Sequence, residues 1–227
     1  PTQFSKNEDF GVYPRSQEAD LAKLEEAGCA AVFMPTKSLY HSSSSSDTGM
    51  VVGVDEETIH YDAHATWITV DHLSQGLCAE SRPHFFRGVC TVVSKLFNII
   101  EPDAAFFGKK DYQQLMIIRN MTRQFALPTE IIAAETWRAD DGLALSSRNT
   151  YLSESERKEA PTLYAELQAV AQAVRDGNLD VSLLEKKTMQ TLASRGWNPD
   201  YVSIRKRSNL QPPNADDLAK NEPLIVL

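Results

Sequence analysis

The chain has 227 residues, enough at roughly 150 residues per domain for one large or two small domains, and about 70% of its unfolded surface can be buried without disulfide staples. Hydrophobic residues make up 42% and charged residues 24%, an ordinary globular balance, while 31 acidic against 23 basic side chains give a net charge of −8 and argue against nucleic acid as the main partner. No apolar run reaches the roughly 18 residues of a membrane span, no signal-peptide pattern is present, and Cys29, Cys78 and Cys90 lack CxxC spacing, which points to reduced packing thiols in a cytosolic or organellar-matrix compartment.

In chain order, Ser16 is an N-cap candidate for a helix carrying Leu21, Leu24 and Ala27, which Gly28 stops. Ala30 to Met34 reads as a short buried strand ended by Pro35. The run Ser42 to Ser46 cannot bury apolar area and reads as a solvated, mobile insertion. Trp67 to Val70 predicts a strand before a loop from Asp71 to Arg82. Val89, Val93, Leu96, Phe97 and Ile100 share one face of a helix that Pro102 ends. Ala104 to Phe107 predicts a buried strand. Asp111 then caps a helix with Leu115, Ile118, Met121 and Phe125 on one face, and Glu130 to Ala134 predicts the next strand. This alternation implies a mainly parallel, helix-covered sheet, whose ligands bind at the carboxyl ends of its strands.

The second half reads as a smaller α+β unit, with a boundary near Trp137 and Arg138. Ser153 and Glu156 form a capping box ahead of a long helix with Leu163, Leu167, Val170 and Val174, closed by Gly177. Asp180 caps another helix with Leu183, Leu184 and Leu192, ended by Gly196. Tyr201 to Ile204 and Leu224 to Leu227 predict two strands. Both chain ends read as cut: the first residues are Pro1-Thr2-Gln3-Phe4, and the last fall inside an expected strand.

Two segments carry candidate chemistry. Phe107-Gly108-Lys109-Lys110-Asp111-Tyr112-Gln113-Gln114 joins a strand end to a helix start. Gly108 lets backbone approach a ligand, the helix start offers N–H groups, Lys110 offers a point charge to phosphate and Asp111 an acceptor to a ribose hydroxyl. The bland alternative is an N-cap beside two solvated lysines. Asp141-Gly142-Leu143-Ala144-Leu145-Ser146-Ser147-Arg148-Asn149 is a turn followed by two hydroxyls and an Arg, either a phosphate clamp or a polar interdomain loop. His60, His64, His72 and His84 fit no zinc spacing.

These two segments, with Arg82-Pro83-His84-Phe85-Phe86-Arg87-Gly88-Val89, the opening Pro1 to Phe4 and Tyr201-Val202-Ser203-Ile204-Arg205, resemble the pantothenate synthetase (pantoate–β-alanine ligase) family in order and spacing along the whole chain. The resemblance implies an α/β fold: a Rossmann-like nucleotidyltransferase parallel sheet over residues 1–137 and a smaller C-terminal α+β lid over 138–227. It implies ATP-dependent joining of pantoate to β-alanine with Mg²⁺, in a cytoplasmic homodimer with no nucleic-acid or membrane partner. Gln3 and Gln114 would hold pantoate, with Gln3 also near β-alanine and Arg82 a further substrate contact. Gly108, Lys110 and Asp111 would hold ribose and phosphates. Ser146, Ser147 and Arg148 would hold the triphosphate. Trp137 and Leu145 would offer backbone groups to adenine. Lys110, Ser147 and Arg148 would be the catalytic members.

Departures from the family pattern are local. The common Arg-Pro-Gly-His-Phe-Arg-Gly reads Arg82-Pro83-His84-Phe85-Phe86-Arg87-Gly88, so Phe85 stands in the usual His place. Lys109 replaces the usual acidic residue and adds positive charge beside the phosphates. The family's His-x-Gly-His loop, which lies before the Pro-Thr-Gln-Phe block, is not among these residues, so further residues at both ends are expected to carry it and the extreme C-terminus. Two other readings compete: a nucleotidyltransferase acting on a different small substrate, and a non-catalytic binding or dimerisation module.

Overall fold

The structure is a computed structural model and describes residues 9–35 and 66–227. Gln3, Ser42 to Ser46, His60 and His64 therefore lie outside the described residues. The chain separates into two units, residues 9–68 and a larger one containing 69–227.

In the first unit a 3-10 turn at Asp9–Gly11 precedes α1, Gln17–Glu26. Ser16 does not cap it: its hydroxyl donates instead to Asp20 Oδ1, 3.3 Å away. Gly28 follows with φ +76°, as the predicted stop requires. Residues 30–34 form no strand. A strand exists by laddering against another, and this segment joins no described ladder; Val32, Phe33 and Met34 are exposed. Residues 67–70 likewise join no described ladder, although Val70 is buried.

In the larger unit the loop after Val70 contains a short helix, α2, Cys78–Ser81. Helix α3, Phe85–Ile100, and helix α4, Tyr112–Gln124, pack their apolar faces together. Val89, Cys90, Val93 and Phe97 on α3, and Leu115, Ile117, Ile118 and Met121 on α4, are all nearly or fully buried. At roughly 1.5–3 kcal/mol per buried aliphatic side chain, this face is the main hydrophobic contribution to this part of the unit. Phe125 and Ile100, expected on these faces, are exposed, because each lies at or beyond the last turn of its helix.

Strands β1, Ala104–Gly108, and β2, Glu130–Ala134, are parallel and in register from Ala104 opposite Glu130 to Gly108 opposite Ala134. Helix α4 makes the crossover between them. β1 is not buried throughout as predicted: Phe106, on one face of the strand, is 71% exposed. Asp111 makes no side-chain cap, since a 3-10 turn at Lys109–Asp111 intervenes before α4.

The capping box forms as predicted: Ser153 Oγ accepts from Glu156 N–H at 3.3 Å, and Ser153 N–H donates to Glu156 Oε2 at 2.8 Å. The long helix is, however, two helices, α5 at Glu154–Glu159 and α6 at Thr162–Arg175, because Pro161 cannot continue the first. Asp180 caps α7, Val181–Ser194, by accepting from Leu183 N–H at 3.0 Å. Strand β3, Ile204–Lys206, starts later than predicted and runs antiparallel to β4, Leu224–Val226, with α8, Ala215–Ala219, between them. Val170, Leu184 and Ile204 are the buried centre of this region. Leu183 faces solvent instead, one position out of phase with that stripe.

Candidate active site

The in-register pairing of Gly108 with Ala134 sets the ends of β1 and β2 side by side; the first candidate segment leaves from that edge, and the second begins in the hairpin that follows Glu135. Among the described residues nothing demands a glycine at 108. Its φ is −71°, and a Cβ there would meet only Lys110 N, 4.0 Å away. The open space above it is what a closely approaching ligand requires. Lys110 Nζ lies 3.9 Å from Asp111 Oδ1, a loose contact between two exposed side chains. Lys109 behaves differently. Its ammonium forms an ion pair with Glu135, the residue just past β2, so its extra charge is locally matched.

From Glu135 the chain enters a tight hairpin. Leu145 N–H donates to Trp137 C=O at 2.8 Å, Ala139 N–H to Leu143 C=O at 2.9 Å, and Gly142 N–H to Ala139 C=O at 2.8 Å. The predicted Asp-Gly turn is present, with Gly142 at φ +93°, where a Cβ would also lie 3.2 Å from the Tyr164 ring. Asp141 braces the turn: Oδ1 accepts from Leu143 N–H at 3.1 Å and Oδ2 from Arg157 Nη1 at 2.5 Å. The Arg157 hydrogen bond, then the Leu143 amide, hold the Asp141 carboxyl below its ordinary pKa. Arg138 completes the brace, donating to Gly142 C=O at 3.0 Å with its guanidinium carbon 3.4 Å from the centre of the Tyr164 ring.

The Ser-Ser-Arg segment follows in a 3-10 turn, Ser147–Tyr151. Ser146 Oγ accepts from Arg148 N–H at 3.3 Å, its carbonyl accepts from Asn149 N–H at 3.1 Å, and Asn149 Nδ2 donates to Ala144 C=O at 3.0 Å. These bonds fix the backbone, while the Ser147 and Arg148 side chains lie at the exposed surface. Trp137 is 80% exposed and Leu145 is exposed beside it. A cleft of about 540 Å³ lies behind this brace, between α6 and the β3–β4 pair, with Arg138 and Tyr164 in its wall. Of the predicted site residues it contains none.

Gln114 is half-buried on the first turn of α4. Arg82 stacks on Phe85, with its guanidinium carbon 3.7 Å from the ring centre, and Phe85 meets Phe86 edge-on at 5.0 Å. Sequence reading passed over Gln113. Its side chain is 5% exposed, donates to Leu73 C=O at 2.9 Å and Gly76 C=O at 3.2 Å, and accepts from Cys78 N–H at 3.2 Å. The signal was available: positions 113, 117 and 121 share one helical face, and a polar residue on an apolar stripe must find buried partners. Arg138, Arg157 and Tyr164 were also passed over, since nothing local marks a long-range brace.

A model of the pantoate-beta-alanine ligase family matches residues 1–227. The chain belongs to this family. A crystal structure of pantothenate synthetase from Thermus thermophilus is 33% identical and superposes with a TM-score of 0.79, covering 100% of this chain and 78% of that one. A pantoate-beta-alanine ligase from Francisella tularensis, solved with beta-gamma ATP and β-alanine, is 28% identical with a TM-score of 0.60, covering 84% of this chain and 64% of that one. Membership of the ligase family carries the α/β, Rossmann-like nucleotidyltransferase fold that the resemblance implied, and the β1–α4–β2 unit is the parallel, helix-connected part that the strand–helix alternation predicted.

Proposed function

We propose that the protein joins pantoate to β-alanine at the expense of ATP, giving pantothenate, AMP and diphosphate through a pantoyl adenylate. The observation that carries this reading is the family match over every residue of the chain. It is supported by the family member whose structure contains beta-gamma ATP and β-alanine, and by a strand-end glycine that no packing among the described residues requires.

In this reading the pantoate carboxylate attacks the α-phosphorus, an acyl–oxygen–phosphorus bond forms, and the bond to the departing diphosphate breaks. Lys110 and Arg148 neutralise charge that grows on the phosphates, the former as a compact point charge and the latter as a fork. The loose Lys110–Asp111 contact leaves the ammonium able to swing to phosphate, whereas Lys109 is engaged by Glu135. Ser146 and Ser147 supply hydroxyls from the braced turn, and Asp111 an acceptor to the ribose. Because the Leu145 N–H and Trp137 C=O bind each other, adenine would be offered the Trp137 N–H and the Leu145 C=O. Gln114, Gln3 and Arg82 hold pantoate, with Gln3 also near β-alanine. The β-alanine amine then attacks the acyl carbon, and AMP leaves.

Among the described residues no three His, Cys, Asp or Glu side chains gather as metal ligands. An Mg²⁺ brought by the nucleotide would be held mainly by triphosphate oxygens and water. Bound there, the ion would offset charge on the departing diphosphate. The boundary between Trp137 and Arg138, a C-terminal lid, a homodimer and a cytoplasmic location belong to the same proposal. No helix among the described residues is long and apolar enough to cross a membrane.

The test is exchange of labelled diphosphate into ATP by the full-length protein. Exchange that depends on pantoate is expected. Exchange with another acid but not with pantoate overturns the assignment.

A further inference from the structure

One contact in the larger unit has no place in the reaction described above. The Tyr201 hydroxyl, just before β3, shares a hydrogen bond with Cys78 Sγ at 2.9 Å, across 123 positions of sequence. Burial, then the bond to Cys78, push the Tyr201 hydroxyl above its ordinary pKa, and the charges of Asp200 and Asp111 act on it in the same direction.

The other side of the contact is fixed. Cys78 begins α2, and its N–H donates to the buried Gln113 carboxamide, which also binds the Leu73 and Gly76 carbonyls. His72, Gly76 and Leu77 all have positive φ in this loop, so its path is one that the chain does not adopt unaided. Gln113 adjoins Gln114, the proposed pantoate contact. A line of hydrogen bonds thus runs from the start of α4, through the 73–78 loop, to the C-terminal region at Tyr201.

Resting on the proposed adenylate chemistry, we propose that Tyr201 is a positioning residue whose hydrogen bond to Cys78 holds the C-terminal region closed during acyl transfer. The chemistry supplies the need. Pantoyl adenylate has two nucleophiles competing for its acyl carbon. Attack by the β-alanine amine forms the amide and breaks the acyl–oxygen bond to AMP. Attack by water breaks the same bond, returns pantoate and AMP, and releases a proton without product. Excluding water favours the amine.

The experiment measures AMP released per pantothenate formed by the full-length protein at saturating β-alanine. Tyr201→Phe keeps the ring and removes the hydroxyl. The ratio should rise from one to at least threefold, with pantoate-dependent diphosphate exchange within about twofold of the unmodified protein. Cys78→Ala should behave alike, and Cys78→Ser, which restores a hydrogen-bonding group, should return the ratio towards one. A ratio of one in both Tyr201→Phe and Cys78→Ala, with exchange intact, overturns the inference and leaves the ligase reading standing. Loss of pantoate-dependent exchange in the unmodified protein overturns the ligase reading, and this inference with it.

Discussion

His84 occupies the left-handed region, with φ of 71°, immediately before α3. That conformation costs an L-residue on the order of 1 kcal/mol, less for His than for a branched side chain, and glycine avoids the cost. The common family pattern has Gly at this place, and the backbone supplies the reason. His84→Gly should raise stability by about 0.5–1 kcal/mol in urea unfolding; an unchanged or lower midpoint would refute the explanation. Phe85 in the usual His place also has a role that sequence left blank, as the ring on which Arg82 rests. At Lys110 the expectation is functional. Lys110→Ala should lower kcat on the order of 10²-fold or more, and near-normal turnover would remove this residue from the mechanism. Single positions were legible where chemistry is local: Gly28, Gly142, the Ser153 box and the Asp180 cap follow from backbone rules. Asp111 was misjudged as a cap because the tighter 3-10 turn that precedes α4 is set by how the chain leaves β1.

Helices and strands with internal periodicity were readable, and those that depend on a distant partner were not. α3, α4, β1 and β2 stand close to where their apolar patterns place them. Residues 30–34 and 67–70 have strand composition but join no ladder among the described residues, and composition alone makes none. The end of α5 illustrates the long-range kind of support. Glu159 accepts from Arg195 Nε at 2.6 Å and Nη2 at 2.9 Å, and from Trp197 Nε1 at 3.2 Å, tying α5 to the end of α7. Chiefly through Arg195, its pKa falls from 4.5 to about 2. The folded form holds its proton less tightly than the unfolded form. This pair's stabilisation is therefore complete above pH 4.5 and drains away as pH falls towards 2. Thermal unfolding followed across that range should show a shallower acid decline in Glu159→Gln than in the unmodified protein. Equal slopes would show that the contact is not maintained in solution. Gln113→Ala strands two carbonyls and one N–H of the 73–78 loop, and should cost about 3 kcal/mol by denaturant unfolding.

At the scale of the molecule, the described strands form a parallel pair, β1 with β2, and a later antiparallel pair, β3 with β4, while the division by contacts falls at Ile68 and Thr69 and keeps residues 69–227 in one unit. The candidate site was legible as two short segments, but the side-by-side placing of Gly108 and Ala134 was not, because it comes from the register of β1 on β2. The Lys109–Glu135 ion pair across that edge has a consequence for how the enzyme can vary. The two positions form one electrostatic unit, so an acidic side chain at 109, the ordinary choice in the family, would confront a carboxylate at 135. Lys109→Glu alone should therefore weaken ATP binding and stability together, and Glu135→Lys added to it should recover both. Substitution at this edge is permitted in pairs, and a double-mutant cycle that proved additive would dissolve the unit.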